Sequence, residues 1–306
     1  MQATLAKSVT VNGTGLHTGR PVRAVLHPAA PGNGIVFERV DVSGADRILP
    51  ARWDLVDQTP LCTRLVNADG VEVSTIEHLM AAFAGLGIVN VRVAINGPEV
   101  PILDGSAAPF ARKIMAVGRV FQSDEREVLR ILKPVEVRRG EARARLEPAD
   151  GFLMEFEIEF DAAAIGRQRR SIDLANGAFV RTLCDSRTFC RADDVAAMRA
   201  QGLARGGTLE NAVVFDGDEV LSPGGLRHAD EPVRHKMLDA LGDLSLAGYP
   251  ILGRYVGVRA GHALTNRLLR AVFADPDAFA IAPCAPHLLS RLPGVGVHRG
   301  DLAACA

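Results

Sequence analysis

Residues 231–244, EPVRHKMLDALGDL, with the run that follows, SLAGYPILGRYVGV (245–258), decide how this chain folds. Val233, Met237, Ala240, Leu241 and Leu244 recur at i, i+4, i+7, i+8 and i+11, the buried stripe of an amphipathic helix. Gly248 ends that pattern, and an alternating strand, RYVGVRA (254–260), follows. The stretch EHLMAAFAGLGIVNVRVAI (77–95) has the same plan. It too starts with a histidine beside a charged residue and runs from helix through glycine to strand. The identity is faint, but it points to a duplicated α+β unit.

Working outward, residues 1–120 read as a first domain. Strands at 2–12, 21–27, 34–40 and 89–95 accompany helices at 74–87 and 107–118. The polar segment FQSDERE (121–127) is the expected linker. A second α+β domain spans 128–274, with strands at 129–137, 143–147, 153–160 and 254–260 and helices at 231–244 and 263–274. An inserted helix, Gly-rich turn and strand lie near 193–216. Residues 275–306 are proline-rich with little periodicity and are expected to be a loosely attached C-terminal tail.

Composition narrows the function classes. The chain has 306 residues, 48% hydrophobic and 23% charged, which is a globular balance. A net charge of −1 offers no electrostatic case for nucleic acid or an anionic membrane as the main partner. No apolar run has transmembrane length, and the N-terminus lacks a signal-peptide core. Five scattered cysteines without a C-x-x-C fit a reducing cytoplasm.

The polar side of 231–244 carries His235, Asp239 and Asp243 at i, i+4, i+8, with Lys236 beside them. Side chains four apart on a helix sit one above the other. His235 and Asp239 can therefore chelate one ion, although the same spacing also suits a surface ion pair. A catalytic zinc site needs a third protein ligand, and His78 is a well-placed imidazole on the polar side of another helix. Glu77 would then stand beside the attacking water as general base. Ser74-x-x-Glu77 also fits a capping box, which would make Glu77 structural. His262, at the start of a helix, suits a general acid if Asp243 restores its pKa, or else a capping position. GTGLHTG (13–19) reads as a hairpin turn, because a strand and not a helix follows it. His17, His27, His228, His287 and His298 have no partner spacing and are expected to be structural or exposed.

TIEHLMAAFAGLGIVN, PILDGSAAPF, SRTF, EPVRHKMLDALGDL and GHALTN, in that order, resemble the UDP-3-O-(3-hydroxyacyl)-N-acetylglucosamine deacetylases, zinc enzymes of lipid A synthesis. The likeness runs from Gln2 to Ala274 and includes GTGLHTG and GIVFERVD. It implies an α+β fold of two similar two-layer domains, helices packed between two sheets, with small inserts in each domain. It implies zinc ligands at His78, His235 and Asp239; such N/O ligands suit Fe2+ as well. Glu77 becomes the base and His262 the acid, with Asp243 behind it. Thr188 would support the oxyanion, and Lys236 and Arg259 would meet the diphosphate of an acylated UDP-amino sugar. The segment near 193–216 would form the acyl-chain passage. Arg64 and Ser186 depart from the family pattern, and neither is expected to touch a ligand. A monomer is expected, since the two halves can bury each other's faces. The alternatives are a non-catalytic nucleotide-sugar binding protein and a metal-free acid/base lyase.

Overall fold

The structure, a computed structural model, describes residues 1–57, 61–298, 300 and 301. Two sheets repeat one plan. The first runs in the order Val9–Thr14, Pro21–Pro28, Val91–Ile95, Ile35–Arg39, Ile48–Pro50. The second contains the order Val135–Arg139, Ala142–Glu147, Ile251–Val258, Phe152–Glu159, Arg167–Asp173. In both, successive neighbours are antiparallel, antiparallel, parallel and antiparallel. The faint internal likeness in the sequence thus corresponds to a repeated strand order. The central strand of each sheet is the one that follows the repeated helix.

Among the described residues six α-helices accompany the sheets: α1 (Glu77–Leu86), α2 (Ala108–Val117), α3 (Ala178–Thr182), α4 (Ala192–Ala200), α5 (Glu231–Leu244) and α6 (His262–Phe273). One apolar core joins Leu26, Phe37 and Val93 of the first sheet to Leu146, Phe156 and Tyr255 of the second. Leu79 and Phe83 of α1 and Leu238 and Leu241 of α5 lie in the same core. The fold is therefore α+β with helices held between two sheets. Each half also carries an insert between its fifth strand and its repeated helix. In the first half the insert holds the short strands Val56–Asp57, Arg64–Val66 and Glu72–Val73. In the second it holds α3, α4 and the paired strands Phe189–Arg191 and Val213–Asp216.

α1 and α5 cross at a glycine. A Cβ added at Gly242 would lie 2.0 Å from the carbonyl oxygen of Glu77, which no real contact tolerates. The catalytic candidates on the two helices are thus brought together by the absence of one methyl group. Gly242→Ala is expected to destabilise the protein by about 1–3 kcal/mol, because overpacking costs more than the helix propensity it gains. Urea unfolding checks this, and an unchanged midpoint would remove Gly242 from the account.

Three expectations are corrected. Ser74 does not form a capping box: Ile76 occupies the N-cap, and the Ser74 hydroxyl donates to the Pro98 carbonyl at 3.1 Å. The strand expected over 129–137 is two strands, Glu127–Ile131 and Val135–Arg139, broken before Pro134, which has no N–H to give a ladder. The tail is not loose over its described part. Phe279–Pro283 pairs antiparallel with Glu127–Ile131, and Leu288 and Leu292 are buried against Val128 and Leu252.

Candidate active site

α5 delivers His235 and Asp239 from one face, and the first turn of α1 delivers His78 against them. The Nε2 atoms of His235 and His78 lie 3.2 and 3.4 Å from Asp239 Oδ1. All three residues are buried, and one ligand atom from each falls within 4.8 Å of the others. The two imidazoles meet nearly perpendicular, with centroids 5.0 Å apart. His235 Nδ1 donates to the Ser186 carbonyl at 3.0 Å, which leaves the Nε2 lone pair facing the cluster. Burial pushes the His235 pKa down to about 4, so it is neutral at neutral pH, as a ligand must be.

Asp239 Oδ1 is buried and has no hydrogen-bond partner among the described residues. Its other oxygen accepts from Lys236 Nζ at 2.7 Å. Burial alone would raise the Asp239 pKa, but His235 and Lys236 hold it well below the usual carboxylate range. An orphaned carboxylate oxygen facing two imidazole nitrogens fits a divalent cation. The same spacing would otherwise leave three polar groups buried and poorly paired.

Beside this cluster a carboxylate faces an imidazole. Glu77 Oε2 accepts from the Thr63 amide at 3.0 Å, and Glu77 Oε1 lies 3.9 Å from His262 Nε2. His262 Nδ1 donates to Asp243 Oδ2 at 2.9 Å, and Asp243 Oδ1 accepts the Thr63 hydroxyl at 2.5 Å. Burial raises the Glu77 pKa, although His262 and His78 pull it back. Burial would lower that of His262, but Asp243 outweighs it and His262 is pushed up to about 9. A bound divalent cation would lower both.

The remaining expected residues lie around this centre. Lys236 is half-buried, with its Nζ donating to Asp239 Oδ2 at 2.7 Å. Thr188 is held by its amide on Gly105 and its carbonyl on Val213, each at 2.8 Å. It lines an apolar cavity of about 450 Å³ together with Leu16, Phe189, Val195, Met198 and Val214. This cavity lies over the insert near 193–216. Arg259 is exposed, has φ +48°, and pairs with Glu141 and Glu159. Ser186, expected clear of the ligands, touches His235, but through its backbone carbonyl, so that contact does not depend on the side chain, whose hydroxyl is buried without a partner among the described residues. Arg64 pairs with Asp57 and Glu72 in the first insert.

Sequence reasoning missed Thr63, which ties the carboxylates of Glu77 and Asp243 together. It also missed the role of His17, which lines the apolar cavity, and of Glu99, whose carboxylate accepts the amides of His17 and Thr18 at 2.7 and 2.8 Å. Glu231 was likewise missed. It is buried against the Arg187 guanidinium, with Nε to Oε1 at 2.9 Å, and fastens the 186–189 segment to the start of α5. Glu231→Ala strands the Arg187 charge and is expected to cost about 3–5 kcal/mol of stability, measurable by denaturant unfolding.

A family model described as LpxC, UDP-3-O-acyl N-acetylglycosamine deacetylase, matches residues 2–274. The chain belongs to this deacetylase family. The UDP-3-O-acyl-N-acetylglucosamine deacetylase of Phenylobacterium zucineum (strain HLK1) is 50% identical over 287 residues, covering 94% of this chain and 98% of that protein. That of Anaeromyxobacter sp. (strain Fw109-5) is 48% identical, covering 92% and 91%. The deacetylase of Anaeromyxobacter dehalogenans (strain 2CP-C) is 44% identical and covers 99% of this chain and 98% of its own length. The likeness to that deacetylase therefore continues past Ala274, where the resemblance first read from the sequence stops, and takes in the packed C-terminal strand. Among the described residues no helix is long and apolar enough to cross a membrane.

Proposed function

We propose that this chain hydrolyses the N-acetyl group of a UDP-3-O-acyl-N-acetylglucosamine and releases acetate, the committed step of lipid A synthesis. The observation that carries the reading is the buried convergence of His78, His235 and Asp239 beside the Glu77–His262 pair, in a chain of this family. Those three residues hold a divalent cation. Zinc is the ion we assign, with Fe2+ acceptable to the same N/O ligands. When bound, the cation polarises the acetamide carbonyl and makes water at the site more acidic.

Glu77 takes a proton from the attacking water, and the Thr63 amide fixes its carboxylate for that task. An amine leaves poorly unless protonated, so His262, held charged by Asp243, delivers a proton to the departing nitrogen. The Thr188 hydroxyl supports the oxyanion. Water thus supplies the acetate oxygen, and the C–N bond breaks as nitrogen gains its proton. Lys236 and Arg259 serve the diphosphate side, and the apolar cavity over the insert takes the acyl chain. We place the reaction in the cytoplasm and the enzyme as a monomer.

Metal analysis paired with an acetate-release assay tests the reading. We expect stoichiometric divalent metal, loss of activity on chelation, and recovery on adding zinc. Turnover that survives complete metal removal favours a metal-free lyase. Binding of the nucleotide sugar without any acetate release favours a non-catalytic binding protein.

A further inference from the structure

A second cavity, of about 490 Å³, shares no lining residue with the catalytic cluster or the acyl passage. Trp53, Met80, Ala84, Leu241 and Phe273 give it apolar walls, contributed by α1, α5, α6 and the first insert. Arg126, in the connection between the two halves, also lines it. The Arg126 side chain is nine-tenths buried, its Nε has no partner, and no carboxylate pairs with it among the described residues.

The bland reading is that Arg126 caps α1. Arg119 already fills that place, since its Nη1 donates to the carbonyls of Leu86 and Gly294 at 2.6 and 2.8 Å. Burial lowers the Arg126 pKa to about 10, which still leaves it cationic at neutral pH. A buried, unpaired guanidinium is costly, and a planar anion satisfies it with two parallel hydrogen bonds. From this cavity and its unpartnered guanidinium we infer a second ligand site, for an amphiphile with one anionic head on Arg126 and an alkyl tail among the apolar walls. A fatty carboxylate and an alkyl phosphate share that chemistry.

Trp53 is the only tryptophan in the chain, and it stacks on Phe273 in the cavity wall with ring centroids 4.9 Å apart. Its fluorescence therefore reports this cavity, whereas the acyl passage has no tryptophan in its lining. The zinc-loaded protein is titrated with decanoate, decyl phosphate, decanol and decyltrimethylammonium, each below its micelle concentration. A saturable change with one or both anions, and none with the alcohol or the cation, is expected, and the tighter anion identifies the source. Arg126→Leu should weaken that binding roughly 10- to 100-fold, as loss of a charge-assisted hydrogen bond predicts. Ala84→Leu keeps the charge but fills the cavity, and should also abolish the change. Should Arg126→Leu fail to fold, the headgroup series and Ala84→Leu decide the matter. No saturable change, equal response to all four headgroups, or unaltered affinity in either folded variant would overturn the proposal.

Discussion

Glu77→Gln is expected to lower kcat by about 10²–10⁴-fold, the range that loss of a positioned general base produces. KM and bound metal should change little. The replacement is nearly isosteric, and its amide oxygen can still accept the Thr63 amide that Glu77 Oε2 accepts at 3.0 Å. What it cannot do is take a proton. Because the site is buried, no bulk water replaces the lost base cheaply. Steady-state acetate release, metal quantification and a melting curve on the same preparation separate the possibilities. A kcat within a few-fold of the parent, with metal present, would remove Glu77 from the proton transfer. His262→Gln should fall in the same range. The double variant should lose less than the product of the two, since both groups act on one proton inventory.

How much of this was legible in the sequence varies with the kind of contact involved. The helix Glu231–Leu244 was readable to the residue, because its apolar stripe is unbroken and Pro232 sits in the first turn where its missing N–H costs nothing. Its i, i+4 histidine and aspartate were equally visible. Arg167–Asp173 was not recognised as a strand. Its sequence, RQRRSID, lacks apolar alternation because this edge strand is held by charges across the ladder, Arg169 on Glu155 and Arg167 on Glu157. The strand Phe279–Pro283 was hidden among prolines and exists only because Glu127–Ile131 offers it an edge.

At the site, the long-range supports had no sequence signature. Thr63 reaches Glu77 and Asp243, 14 and 180 residues away, and no spacing rule links them. His17 has no patterned neighbour either; it is brought to the cavity because Glu99 receives the amides of the 13–19 turn. His78 looked like a residue on a polar, outward face of its helix. That face is buried because α5 opposes it with a polar face of its own. The polar side chains of the two helices thus meet at Glu77, His78, His235 and Asp239, which places the chemistry inside the molecule.

That burial sets the expected outcome for His78→Ala, where metal content should collapse. Losing even an outer partner of a metal ligand typically costs 10–100-fold in affinity, so losing a ligand should cost at least about that much. The variant leaves His235 and Asp239 on one helix, an i, i+4 pair that can chelate but no longer encloses the ion. Asp239 Oδ1 then has a single imidazole nearby instead of two, and Lys236 on its other oxygen becomes its main counter-charge. The protein should therefore fold, bind zinc weakly, and recover part of its activity only in excess zinc. His228→Ala is the control. His228 is bound to Asp185 at 2.9 Å, outside the cluster, and its loss should leave metal content unchanged. Metal analysis after extensive dialysis, with acetate release as a function of added zinc, reads both variants. Parental metal content in His78→Ala would take His78 out of the ligand set. The cation would then be held by α5 alone or lie elsewhere, and the role of α1 in the active site would reduce to carrying Glu77.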